Sequence, residues 1–354
     1  SSDISPEMRE YRRTTTTAVN AYAMPITKPY LESLIHELKL LGVSQEPLIM
    51  LSNGGLIGAS IAGSSPVRMI ESGPAAGALV AGFLAKKYEV ENIISFDMGG
   101  TTAKTAIVED GKPAKTTEYE VGSGINLSSR LLRGAGYAVK LPFIDVSEIG
   151  AGGGSKVWFD DGNLIHVGPQ SAGSVPGPVC YNNGGQDVTL TDALVTLGYL
   201  NPDYLVGGSV AIDSKLSTKA INDHVCPILG LDCLKAAHGI YTIATSNMIR
   251  AVKAVSTFRG RDPREFSLFA FGGNGPVGSM EIARELEMPR LLIPPSPGVF
   301  SAFGLLLSET EHESLQTLFG ELDKMTVPDI SLAYDALQAK MVSTLIEDGH
   351  NPKN

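Results

Sequence analysis

Cations in excess, long apolar runs and an even set of cysteines are all missing from this chain, and each absence closes off a class of function. Lys and Arg number 28 against 38 Asp and Glu, a formal net charge of −10. A phosphate backbone needs clustered cations, so nucleic acid is not expected as a partner. No apolar run reaches the ~18 residues of a membrane span, and the first residues lack the basic, apolar, small-residue order of a signal peptide. Three cysteines, Cys180, Cys226 and Cys233, make no even disulfide framework, which fits a reducing compartment. A soluble, cytoplasmic protein without membrane contact is expected. Zinc-type spacing is missing too: His224, Cys226, Cys233 and His238 match no familiar Cys/His pattern and read as helix residues.

What is in surplus is glycine, 39 of 354 residues, about 11% against a usual ~7%. It gathers at the ends of apolar runs. The central case is Ile93-Ile94-Ser95-Phe96-Asp97-Met98-Gly99-Gly100-Thr101-Thr102-Ala103-Lys104-Thr105-Ala106-Ile107-Val108. The run to Phe96 reads as a strand, the Gly-Gly-Thr-Thr as a tight reversal, and Thr105 to Val108 as the returning strand. Without Cβ atoms, Gly99 and Gly100 let backbone amides converge on an anion, and Thr101 and Thr102 add hydroxyl donors. Asp97 would repel a phosphate directly, so it fits a role through Mg²⁺, which favours carboxylate oxygen. A glycine-bearing hairpin with a solvated Asp would use the same residues, and this stretch alone leaves both readings open.

The remainder reads as alternating strands and helices around that hairpin. Ser1 to Ala23 is a polar, extended lead-in, followed by a helix from Pro29 to Leu41 and a buried strand from Pro47 to Leu51. Ser72-Gly73-Pro74 is a helix start with Ser72 as its cap, leading into a helix to Lys87. Lys112 to Val121 is a third strand. Pro142 to Ile149 precedes Gly150-Ala151-Gly152-Gly153-Gly154-Ser155, with Asp145 and Glu148 as either solvated acids or metal or substrate contacts. Val157 to Pro178 is an irregular excursion of the sort that lines sites. Thr191 caps a short helix from Asp192 to Gly198, and Leu216 to Gly260 is helical. The basic turn Arg259 to Arg264 is either solvated or contacts a phosphate or partner. Phe266 to Phe271 is a strand, Gly272-Gly273-Asn274-Gly275-Pro276 a loop, and Val277 to Leu286 a helix whose N-terminus could face a nucleotide. A strand at Arg290 to Pro294, a helix at Ser301 to Ser308 and an amphipathic tail complete an α/β layer with a mixed sheet. The length allows about two domains, or one with insertions. A Ser start and a helical pattern running from Ile330 to Glu347 fit a piece of a longer polypeptide.

Phe96 to Thr102, Gly150 to Ser155 and Phe271 to Pro276 together resemble the hydantoinase A / 5-oxoprolinase family, and Ser72 to Gly77 and Gly168 to Gly173 extend the match across roughly Glu7 to Glu311. The resemblance implies a ribonuclease-H-like mixed sheet of the actin/hexokinase-like ATPase superfamily, with helical and loop insertions. It implies a core over 1–312, with an insertion at about 122–264, and the start of a helical C-terminal region over 313–354. It also implies ATP and Mg²⁺ or Mn²⁺ as cofactors. Asp97 and Thr101 would be catalytic; Gly99, Gly100, Thr101, Thr102, Gly272, Gly273, Asn274 and Gly275 would bind the nucleotide; Asp97, Asp145 and Glu148 would hold metal. The expected activity is ATP-dependent opening of a cyclic amide such as a hydantoin or 5-oxoproline, in an oligomer with a hydantoinase-B-like subunit. Ketone carboxylation and a non-catalytic, nucleotide-binding assembly role are the alternatives. The family's first phosphate loop has no copy before Ser52, so this fragment alone is expected to be inactive and to bind ATP weakly. Many members have His where this chain has Ser147 and Gly278, so a His-based metal site does not carry over.

Overall fold

The computed structural model describes residues 4–122, 125–126, 136–203, 208, 210–321 and 323–347. Its first element, α1, spans Glu10–Leu40, so the stretch that reads as an extended lead-in is helical from Glu10 onward. Threonine is a poor helix former because its hydroxyl competes for backbone partners. Here the hydroxyls of Thr15, Thr16 and Thr17 donate to the carbonyls four residues back at 2.8, 2.7 and 2.8 Å, which meets that demand inside the helix. Asn20 docks the helix by donating to the Ser64 carbonyl and accepting from the Val67 amide.

Strands β1 (Leu48–Met50) and β2 (Leu56–Gly58) form a small antiparallel pair followed by α2 (Ala59–Ala62). Helix α3 (Ser72–Lys87) leads into the hairpin of β3 (Asn92–Met98) and β4 (Ala103–Glu109). The third strand expected over Lys112 to Val121 is instead three short pieces, β5 (Lys112–Pro113), β6 (Lys115–Thr116) and β7 (Tyr119–Val121). Next come β8 (Ile125–Asn126), β9 (Tyr137–Val139), β10 (Phe143–Ile144) and β11 (Val146–Ile149). The break between β10 and β11 falls at Asp145, whose amide turns aside to the Ala114 carbonyl at 2.7 Å.

The excursion expected after Val157 contains a regular antiparallel pair, β12 (Ser155–Phe159) and β13 (Ile165–Ser171). Helix α4 (Leu190–Thr196) is capped by Thr189 rather than Thr191, in a reciprocal box with Asp192. The helical stretch after it is divided into α5 (Ser214–His224), α6 (Cys226–Leu229) and α7 (Cys233–Val255), with Gly230 at φ 65° ending α6. Strand β14 (Ser267–Phe271), α8 (Gly275–Glu285), β15 (Leu291–Leu292), α9 (Phe300–Leu305) and α10 (Val327–Glu347) complete the chain.

A mixed sheet of seven strands forms the centre, in the order β15-β14-β3-β4-β11-β8 with β5 beside β4. Strands β15, β14 and β3 are parallel, whereas β4 runs antiparallel to both β3 and β11. Alternation along each strand divides the side chains between two layers. Ile94, Phe96, Met98, Ala103 and Leu268 pack with Met248, Val252 and Ile282 of α7 and α8. On the other face Ile93, Val108, Phe269 and Phe271 pack with Val80 and Ala81 of α3 and Phe300 of α9. Large apolar side chains buried this completely contribute roughly 1.5–3 kcal/mol each. Strand β11 and helix α7 lie inside the 122–264 stretch yet belong to this central layer. Among the described residues no helix is long and apolar enough to cross a membrane.

Candidate functional site

Asp97 is on β3, where alternation turns it toward the α3–α9 face, opposite to Phe96 and Met98. The ladder places it directly across from Lys104 on β4, and Lys104 directly across from Glu148 on β11. These three side chains therefore form one row on one face. Lys104 Nζ is 3.2 Å from a Glu148 carboxylate oxygen. Ser301 of α9 donates its hydroxyl to Asp97 at 3.4 Å. Burial raises the Asp97 pKa, while the Lys104 charge and the Ser301 hydroxyl pull it back.

Glu71 closes the row from the side of α3. It occupies the N-cap position of that helix, where Ser72 was expected, with left-handed backbone at φ 61° and no side-chain capping bond. Its carboxyl meets that of Glu148, and burial first, then the Glu148 charge, pushes it up to about 7, with Lys104 and Tyr119 opposing.

The turn beyond Asp97 is held from outside. Within it, the Gly99 amide donates to the Thr102 carbonyl at 3.1 Å. The Gly99 carbonyl accepts from Gly153 N–H at 3.1 Å and the Gly100 carbonyl from Gly154 N–H at 2.6 Å. A Cβ on Gly152 would stand 2.5 Å from the Gly100 carbonyl carbon, so this glycine is required for one loop to lie on the other. From a third direction, the Asn274 amide donates to Met98 O at 2.9 Å and its side chain to Gly99 O at 3.2 Å. Gly272, at φ 84°, is required by its backbone conformation and by its closeness to Asp97 and Met98.

Gly99, Gly100 and Gly273 are different. A Cβ on any of them would meet nothing within 4 Å, and none has a positive φ. Neither packing nor backbone strain within the protein accounts for glycine there. What their bareness leaves room for is a bulky group outside the chain, above a hairpin whose carbonyls already have partners. Thr101 is exposed and Thr102 half-buried at the same rim.

The three expected metal carboxylates are not brought together. Asp145 is 7% exposed and is paired with Arg259, which follows α7. Glu148 is on the α3–α9 face and is engaged by Lys104. The reason is register: the two acids are an odd number of positions apart and so point to opposite faces. Among the described residues, no three His, Cys, Asp or Glu side chains gather at a metal-binding distance. Asp97 alone still fits Mg²⁺, which takes one or two carboxylates together with phosphate oxygens and water. The basic turn is solvated at Arg264, which pairs with Asp262 at the surface, while Arg261 forms a bidentate pair with Glu109 at 2.9 and 2.8 Å and Arg259 holds Asp145. Ser147 faces the α7 layer, and its buried hydroxyl has no hydrogen-bond partner among the described residues.

Sequence reading missed Glu71, Lys104 and Ser301. Lys104 had a signal: folding the hairpin about Gly99 to Thr102 puts it opposite Asp97. Glu71 and Ser301 had none, because their approach depends on how α3 and α9 cross the sheet.

Residues 13–314 match the model of the hydantoinase/oxoprolinase family. An uncharacterised protein of Methanocaldococcus jannaschii is 42% identical over 328 residues, covering 93% of this chain and 48% of that protein. The alpha subunit of a Pseudomonas jessenii caprolactamase is 34% identical over 354 residues, covering 99% of this chain and 49% of the subunit. A nucleotide-free acetone carboxylase structure superposes with a TM-score of 0.83 at 26% identity, over 99% of this chain and 49% of that one. The chain thus spans about half the length of these relatives.

Proposed function

The chain belongs to the hydantoinase/oxoprolinase family, and on that premise we propose that it forms a nucleotide-holding part of an enzyme that uses ATP to open a cyclic amide. The observation that carries this reading is the bare rim at Gly99 and Gly100, open to a ligand while Gly153, Gly154 and Asn274 fasten the same hairpin from behind. Such a rim leaves space for an anion without yielding to it. The sheet order, with antiparallel β3, β4 and β11 continued by parallel β14 and β15, supports a ribonuclease-H-like layer of the actin/hexokinase-like ATPases.

In this reading Gly99, Gly100, Thr101 and Thr102 cradle the terminal phosphates, and Gly272, Gly273, Asn274 and Gly275 border the nucleoside. Asp97 holds Mg²⁺ or Mn²⁺ through one carboxylate. ATP, when bound, supplies a phosphoryl group to the carbonyl oxygen, making its carbon open to attack by water. The chain contributes positioning and fixed charge, which carry most of the catalysis in phosphoryl transfer. A lactam, hydantoin or 5-oxoproline is the substrate class, and a hydantoinase-B-like subunit the partner.

Full-length protein with that partner should consume ATP when offered a panel of lactams, hydantoins and 5-oxoproline. ATP turnover indifferent to the whole panel would remove the amidohydrolase assignment. The acetone carboxylase likeness favours a second reading, in which a ketone takes up bicarbonate, and turnover that requires bicarbonate plus a ketone would establish it. An Asp97→Asn variant that leaves ATP consumption unaltered, with partner binding intact, would point to a non-catalytic assembly role.

A further inference from the structure

Lys104 is the member of this row that no sequence motif claims. Its ammonium lies between Asp97 and Glu148 in the cross-strand row and is held by Glu148 at 3.2 Å. The two partners keep 24% and 17% of their side-chain surface exposed, so the pair is open to solvent in part and not sealed in the core. Opposed residues of an antiparallel ladder have Cβ atoms about 4.5–5.5 Å apart. A lysine stem is long enough to swing across that interval without moving the backbone. Only Ala103 separates Lys104 from Thr102 at the end of the rim.

Charge argues in the same direction. The row brings Asp97 and Glu148 to one face, and these two carboxylates would repel a triphosphate approaching the rim. We propose that Lys104 is a phosphate-contacting residue, leaving Glu148 when a nucleoside triphosphate binds and setting its ammonium against the terminal phosphates beside Asp97. Glu148 is not stranded by that movement, because the Glu71 carboxyl already hydrogen-bonds to it. The chain itself then supplies part of the positive charge that phosphoryl transfer requires, and Asp97 needs to hold only one metal ion. This rests on the reading of the rim as a triphosphate site.

Calorimetry on the full-length protein with its partner tests both layers separately, using ATP and AMP as probes. Lys104→Met should lower ATP affinity about 10- to 100-fold, the loss of one charge-assisted contact, and leave AMP affinity unchanged, since AMP lacks the terminal phosphates. Lys104→Arg should recover part of the loss. Lys104→Met/Glu148→Gln should stay weak. ATP affinity within twofold of wild type in Lys104→Met, or full recovery in the double variant, overturns the proposal, because the lysine would then serve only to balance Glu148. Should Lys104→Met fail to fold, the double variant, in which Glu148 loses its charge together with its lysine partner, carries the same comparison. Wild-type protein that binds no ATP refutes the triphosphate site itself, whereas wild-type binding with an indifferent lysine refutes only this role.

Discussion

Asn274 and Gly99, 175 positions apart in the chain, are joined by a 3.2 Å hydrogen bond from side-chain amide to backbone carbonyl. It closes the gap between the β14 loop and the β3–β4 hairpin, so the two glycine segments act as one rim. Asn274→Ala removes that fastening and about 1 kcal/mol of hydrogen bonding. ATP affinity of the full-length protein should fall about fivefold, with a melting temperature close to wild type. An unchanged affinity would mean that the rim holds its shape without this bond.

Glycines of the site divide into those the fold needs and those it does not. Gly152→Ala drives a methyl into the Gly100 backbone and should cost about 1–3 kcal/mol of stability. Gly100→Ala meets nothing within 4 Å, so the melting temperature should hold while nucleotide binding weakens about tenfold. Thermal melts paired with calorimetry on both variants decide the matter, and equal destabilisation by the two would contradict the distinction.

Glu71 gives the fold a dependence on pH of definite sign. Its pKa in the folded chain is raised from the ordinary 4.5 to about 7, so the folded chain favours the protonated form. That contribution is complete below pH 4.5 and is lost as pH rises through 7. Wild type should therefore lose roughly 2 kcal/mol relative to Glu71→Gln across that interval. Denaturation curves at pH 5 and pH 8 measure the difference, and parallel pH slopes in the two proteins would refute it.

Asp192 is completely buried and accepts from the amides of Val179, Cys180 and Thr189 and the hydroxyls of Thr189 and Ser217, at 2.8–3.2 Å. It gathers the ends of three segments at one point. Asp192→Ala strands those donors and should cost about 3–5 kcal/mol. Urea titration is the measurement, and a loss below 1 kcal/mol would show that water replaces the carboxylate.

Much of the site was legible because its chemistry is local. The apolar run to Phe96, the acid at its end and the bare turn beyond are adjacent in sequence, and such neighbours form a strand and a reversal almost anywhere. The start of α1 was hidden because its threonines satisfy their hydroxyls within the helix, against their usual preference. The cap of α4 was misplaced by two residues, since Thr189 and Thr191 are alike in type and only the return bond from Asp192 distinguishes them.

By itself the amino-acid order determined the hairpin, the glycine loops and the alternation of strand and helix, because each follows from residues within a few positions of one another. Tertiary structure alone decided which partner each acid meets. Asp145 went to Arg259 and Glu148 to Lys104 because strand register and the crossing of α3 over the sheet assign partners, and both arise from packing between distant parts of the chain.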